Sequence, residues 1–391
     1  MRAALGYHAP PGGLAGPARL AATAAALALA VLTGCGESGG GRAPTAPLTL
    51  YVANAVDGTV TPLDGRTGLP LGAPLPAGLL PDQVVPVTGG VLVRSFSPRR
   101  SGALTHVTRR RGYGSAWTMR PVPLEGGARD LWLAGDGGRL AAVAYLAPDP
   151  TTGRLRGRLA LVDAAAGAAR PARDVWGAPA RIAGLALDGG PDGPVAYLAV
   201  RAEAGQDPPA APPRAETAAP AYWLLAVHAA TGRLLAARRV AGAPAGLFLA
   251  PAPGRLGVRL YAVETAPGLD GASGAERGRV LDLDPATLAV EREHVLASRA
   301  VAVAVAPDGE ESYALTADGF VLTRIDLLTG AQRPLAWLRE SGTSLAVTDA
   351  RVFVPNPFGD EVWVYERRSA RPLPPIRVGR NPVAVALRGA A

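Results

Sequence analysis

From residue 48 onward the chain repeats one pattern roughly every fifty residues. A repeat of that length restricts the fold before any other property is weighed. Each unit opens on an apolar strand of the type Leu-Tyr-Val-Ala. A second strand ends in Asp and runs into a turn of the type Asp-x-x-Thr-Gly. A third strand, a Gly-x-Pro break and a strand of the type Val-Ala-Val-Ala complete it. The opening element occurs seven times, at Leu50–Asn54, Val91–Val93, Leu140–Tyr145, Ala196–Val200, Leu260–Val263, Ser312–Leu315 and Val352–Asn356.

The turn recurs at 64–68, 163–167, 228–232, 284–287 and 326–330, with His228 in place of the Asp in the third of these. An Asp at the head of such a turn accepts backbone N–H bonds across it, and Gly at its end adopts φ > 0 at no steric cost. The break recurs as Gly177-Ala178-Pro179, Gly242-Ala243-Pro244 and Gly379-Arg380-Asn381-Pro382. Four strands per unit at this spacing make a β-propeller blade. The alanine-rich stretches have helical propensity, but that prior is weak beside the repeat. The phase matters: the chain enters the pattern on a Leu-Tyr-Val-Ala strand at 48–53 and ends on a Val-Ala-Val-Ala strand, Pro382–Leu387. The expectation is an all-β propeller over residues 48–391, of seven four-stranded blades, with the C-terminal strand completing the first blade and removing an exposed edge. Residues 202–221 and 267–276 are loop insertions.

Tyr51-Val52-Ala53-Asn54 and the junction Val378-Gly379-Arg380-Asn381-Pro382-Val383-Ala384-Val385 resemble the YVTN family of seven-bladed propellers. That family occurs in surface-layer and secreted bacterial proteins. The resemblance covers residues 48–388 and is sharpest at the first and last two blades. It implies a fold rather than a job, since propellers host many functions.

Ahead of the repeat, Arg2 and Arg19 precede thirteen residues, Leu20–Leu32, made only of Ala, Leu, Val and Thr. This run falls short of the roughly 20 residues that span a bilayer and matches the apolar region of a secretory signal. It ends in Leu32-Thr33-Gly34-Cys35, which resembles the lipobox of bacterial lipoproteins, and Cys35 is the only cysteine of the chain. Residues 1–34 are thus expected to be a lipoprotein signal, Cys35 the lipidated residue, and 35–47 a flexible tether. The expected location is the outer face of a membrane in the cell envelope. One cysteine also excludes a disulfide framework or a thiolate metal cluster.

All 40 basic residues are arginine, against 32 acids. Without residues 1–34, which hold two arginines and no acid, the balance is 38 − 32 = +6. So mild an excess does not imply nucleic-acid binding, and 5% aromatic residues leave few stacking platforms for bases.

Beyond His8, the histidines are His106, His228 and His294, in three different units, and they are expected to be surface or turn residues. No Gly-x-Ser-x-Gly, His-Glu-x-x-His or phosphate-cradling glycine motif occurs. The turns Asp149–Gly153 and Asp188–Gly193 are acid-rich but lack the alternating ligands of a calcium loop. Quinoprotein propellers carry a Trp four residues after the turn glycine; here those positions hold Gly72, Ala236 and Pro334. Trp117, Trp176 and Trp337 are expected on outer strands, packing between blades. No cofactor and no metal are expected. Arg99-Arg100 and Arg109-Arg110-Arg111 flank one hairpin and suit anionic headgroups or a solvated face.

In a propeller, the turns from the outer strand of one blade to the inner strand of the next surround the mouth of the central channel, a concave site fed by every blade. The alignment places Asp82, Arg129, Asp130, Arg181, Arg299, Arg380 and Asn381 there. The function expected is a monomeric, non-catalytic, lipid-anchored module that binds a protein or a small anionic ligand at this mouth. The alternative is a lactonase, lyase or other hydrolase, which needs acids and a histidine converging in the funnel.

Overall fold

The structure is a computed structural model of the chain. It describes residues 48–96, 103–109, 117–176, 180–190, 192–202, 221–251, 258–267, 276–317, 320–340 and 342–388. The signal, Cys35, the tether, Arg99-Arg100, Arg110-Arg111, the break 177–179 and most of both insertions lie outside the described residues.

Seven sheets follow one another around a ring. From the axis outward, blade 1 consists of Pro382–Arg388, Thr49–Asn54, Thr59–Asp64 and Leu75–Pro76. Blade 2 is Pro81–Val87, Gly90–Ser95, Ala103–Arg109 and Trp117–Pro121. Blade 3 is Arg129–Gly135, Leu140–Pro148 and Leu155–Asp163, with its outer strand split into Ala168–Ala169 and Arg173–Trp176. Blade 4 is Ala180–Asp188, Val195–Ala202, Ala221–His228 and Arg233–Val240. Blade 5 is Ala243–Pro251, Val258–Pro267, Glu276–Leu283 and Val290–Val295. Blade 6 is Ala300–Val305, Glu311–Thr316, Val321–Asp326 and Gln332–Trp337. Blade 7 is Ala346–Val347, Arg351–Asn356, Glu361–Glu366 and Pro372–Arg377. The seven Leu-Tyr-Val-Ala elements are the second strands. No described residue is helical, because the alanine-rich strands are held in antiparallel ladders.

The ring closes as the phase requires. Pro382–Arg388 pairs antiparallel with Thr49–Asn54, from Thr49 opposite Arg388 to Asn54 opposite Pro382. Each blade takes the same path, so all first strands begin at one end of the ring, the crossover end. The turns between third and fourth strands lie at the other, the turn end.

The core is seven interfaces rather than one centre. Along Thr49–Asn54, Leu50 and Val52 pack with blade 7, while Tyr51 and Ala53 pack with blade 2. A strand buried on both faces must be apolar at every position, and the second strands read that way because period-2 alternation points successive residues into opposite interfaces. Five further clusters fill the remaining junctions.

The recurrent turns latch neighbouring blades together. Asp64 Oδ1 accepts the N–H groups of Arg66 at 2.9 Å and Thr67 at 2.7 Å, plus the Thr67 hydroxyl. The Thr67 N–H bond does most to hold this carboxyl below the usual range. Gly68, at φ +79°, meets Ile376 of blade 7, where a Cβ would come within 2.6 Å of the Ile376 side chain. Positive φ and close approach together demand glycine here. Blade 5 departs from the pattern: Leu288 takes the left-handed position at φ +58° and is buried against blade 4.

Three side-chain expectations change. His106 and His294 are not surface or turn residues: they are 3% and 5% exposed. Each lies under the turn glycine of the following blade, Gly167 over His106 and Gly330 over His294. Burial pushes both imidazoles to lower pKa. Trp337 does lie on an outer strand, yet it is 72% exposed and does not pack between blades. Trp176 is buried at the junction of blades 3 and 4, and His228 replaces the turn Asp as expected, 2.9 Å from the Thr231 hydroxyl.

Candidate functional site

At the crossover end the first strands start irregularly. In blades 1, 2, 4, 5 and 6 one residue is passed over in the register, namely Val383, Asp82, Ala183, Ala245 and Val301. Blade 3 has the same irregularity between Arg129 and Trp132. Such bulges bend a strand and re-aim its side chains. Leu80, Asp130 and Asn381 stand beside them at φ +47°, +47° and +56°. Among the passed-over residues only Asp82 and Asp130 are acidic.

Both acids already have partners. Asp82 is held by Arg94 in a two-pronged pair, Nε–Oδ1 2.7 Å and Nη2–Oδ2 3.0 Å. The same guanidinium reaches the Leu131 carbonyl and stands 5.2 Å from the Trp132 ring, so this pair links blades 2 and 3. Asp130 Oδ2 accepts the Ile182 N–H at 3.0 Å and links blades 3 and 4. Asn381 donates its N–H to Asp360 Oδ1 at 2.9 Å, joining blade 7 to blade 1. Arg380 pairs with Asp57 at 2.6 Å, and its N–H is the leading cause holding that carboxyl below its ordinary range.

Arg129, Arg181 and Arg299 behave differently. All three are exposed, and among the described residues none of their guanidinium groups has a hydrogen bond or ion pair. Arg181 stands directly opposite Arg201 in the strand register, and Arg201 is likewise exposed and without a partner among the described residues. Like charges opposite each other on neighbouring strands oppose folding. Guanidinium groups kept apart from carboxylates remain free to hold carboxylate or phosphate in two-pronged bonds.

Two elements of this end escaped the sequence reading. Arg201 is one, since nothing in the repeat singles it out until register puts it beside Arg181. Glu264 is the other, 2% exposed at the end of the second strand of blade 5. It accepts the Gly242 N–H of the crossover at 3.1 Å and pairs closely with Arg279. Burial raises its pKa against the pull of Arg279. A single acid closing an apolar strand, Val263-Glu264, was the available signal.

The acid-rich turn at Asp149 is filled from within. Asp149 Oδ1 accepts the N–H groups of Thr151 and Thr152, and Oδ2 pairs with Arg156 at 2.8 Å. Among the described residues no three His, Cys, Asp or Glu side chains group in a way that would hold a metal ion.

No family model matches the sequence, and no curated protein matches it. Solved structures do. AztD from Citrobacter koseri superposes with a TM-score of 0.52 at 15% identity, over 88% of this chain and 98% of that one. A protein from Bacteroides uniformis described as a "putative 6-phosphogluconolactonase" gives 0.59 at 15% identity, over 87% and 99%. A functionally unknown protein from Desulfotomaculum acetoxidans gives 0.58 at 12% identity, over 87% and 98%. Likeness at such identity carries the fold alone.

Proposed function

We propose that this chain is a lipid-anchored propeller of the YVTN type on the outer face of a membrane, and that it binds an anionic ligand or an acidic segment of a partner protein at the crossover end. The observation that carries the reading is the Arg181–Arg201 pair of blade 4, with Arg129 of blade 3 and Arg299 at the start of blade 6 at the same end of the ring. The non-catalytic part of the reading is supported by the use of Asp82 and Asp130 in linking blades.

The test is titration of a fluorescent poly-aspartate peptide and of citrate. Replacing Arg181 and Arg201 together by Ala should weaken binding by about tenfold or more, as expected for loss of charge-assisted hydrogen bonds. It should also flatten the salt dependence. Arg380→Ala, which removes an arginine already paired with Asp57, should bind nearly as wild type. Equal binding by all three proteins at low and high salt would sink the crossover site.

Anchoring is tested separately. Cys35→Ser should move the protein from the membrane to the soluble fraction, since stable attachment takes more than one acyl chain and the thiol carries the diacylglyceryl group. Membrane partitioning of the variant, together with no acyl label on the wild type, would end the lipoprotein reading.

A further inference from the structure

We propose a second site, at the turn end between blades 2 and 3, which takes a small oxyanion of the phosphate type. A cavity of about 350 Å³ is bounded there by His106, Thr108, Thr118, Arg120 and the Ala165-Ala166-Gly167 segment of the next blade's turn.

The register assembles its wall. His106 lies opposite Arg120 and Thr108 opposite Thr118, so the two pairs, two residues apart, share one face of the outer hairpin of blade 2. One step toward the crossover end the same face carries Leu104 and Val122, both buried in the core with blade 3. The interface therefore changes from apolar to polar within two residue pairs, and at that point the two blades leave space.

The polar side chains bounding the space leave hydrogen-bonding capacity unused. His106 is 3% exposed, and its Nε2 has no hydrogen-bond partner. The Thr108 and Thr118 hydroxyls bond each other at 2.9 Å. One hydroxyl hydrogen fills that bond, which leaves the other free. Arg120 is exposed and without a partner among the described residues. Among the described residues no carboxylate lines the cavity. The nearest one in the turn, Asp163, accepts the Ala165 and Ala166 N–H groups and pairs with Arg139 at 2.8 Å. Hydroxyl, imidazole and guanidinium donors with no facing acid suit an oxyanion and oppose a cation. Gly167 is part of the device: at φ +63°, any Cβ would come within 2.9 Å of His106 Nδ1.

An anion here is linked to pH. Among the described residues the charged group that acts on His106 is Arg120 of the same hairpin, while Asp163 of the neighbouring turn is taken up by its own turn N–H groups and by Arg139. Burial and Arg120 lower the imidazole pKa, and a bound anion opposes both. By linkage through His106, affinity for an anion of fixed charge, such as sulfate, rises as pH falls toward the lowered imidazole pKa.

The experiment follows the histidine Cε1–H resonances of the full chain during titration with inorganic phosphate. One imidazole should shift saturably, and sulfate, whose charge is constant over this range, should bind more tightly at pH 6 than at pH 7.5. Arg120→Gln, at an exposed position, should weaken binding by about tenfold or more, and Thr118→Val by a smaller factor. The Arg181→Ala, Arg201→Ala protein should bind phosphate at this site as wild type, which keeps the two sites distinguishable. A second arm uses phosphatidylglycerol and phosphatidylcholine vesicles. A response to the anionic vesicles alone, lost in Arg120→Gln, identifies a lipid headgroup as the source; a response to phosphate alone identifies the free ion. Absence of any shift at His106 in both arms, or equal shifts in wild type and Arg120→Gln, overturns the site.

Discussion

Deleting residues 380–391 is expected to leave a protein that aggregates, or that loses more than the roughly 4–5 kcal/mol that marks an exceptional single lesion. The segment supplies the innermost strand of blade 1, paired along its length with Thr49–Asn54. Its loss exposes a row of strand N–H and C=O groups that templates pairing with other chains. It also opens two interfaces at once, because Ala384 packs toward blade 2 and Val385 toward blade 7. Polar ties go with it: the Thr343 hydroxyl donates to the Val383 carbonyl at 2.7 Å, and the Asn381 and Arg380 N–H groups reach Asp360 and Asp57. Blade 7 depends on these ties, since its own first strand is only Ala346–Val347. The measurement is thermal and urea unfolding of the truncated protein, with light scattering. An unchanged melting temperature would mean that the closure contributes nothing.

The architecture was legible because it rests on signals a sequence carries openly. Seven apolar runs, an Asp-x-x-Thr-Gly turn whose chemistry is local, and the phase of the two chain ends required no knowledge of what packs against what. The errors share a different origin. His106 and His294 are polar residues in strands, and only the ring shows that each sits beneath the next blade's turn glycine. Trp337 has the right strand for interblade packing, yet its side chain stays 72% exposed. Leu288 fills a glycine position because the side chain there plugs into blade 4, which outweighs the left-handed strain. The crossover-end residues were found by counting along the junctions. Which of them are engaged and which stand free was not legible, since Arg94, Asp57 and Ile182, the groups that engage three of them, belong to other elements of the ring. The rim cavity left no sequence signature, because its donors come from one hairpin and its lid from the next blade.

Arg279→Met should destabilise the protein by about 3–5 kcal/mol near neutral pH, the usual cost of removing one partner from a buried pair. Glu264 and Arg279 have side chains 3% and 11% exposed, and Arg279 also meets Glu293 at 3.1 Å. Without the guanidinium, the Glu264 carboxylate keeps only the Gly242 N–H among the described residues. Its pKa, raised by burial even with Arg279 in place, should climb further. The sign follows from linkage: a carboxyl with a folded-state pKa above its unfolded value holds its proton more firmly when folded. The variant should therefore be least affected near and below the ordinary glutamate range, and lose stability as pH rises through the folded-state pKa. Adding Glu264→Gln should recover most of the loss. The amide oxygen still accepts the Gly242 N–H, and no charge is left buried. Unfolding of the two single variants and the double at pH 5 and pH 8 gives the complete cycle. If Arg279→Met is as stable as wild type at pH 8, or if the double variant is no better than the single one, Glu264 is not a buried charge held in check by Arg279. The crossover from blade 4 to blade 5 must then be fixed by backbone packing around Gly242, where any Cβ would come within 2.6 Å of the Thr265 carbonyl oxygen.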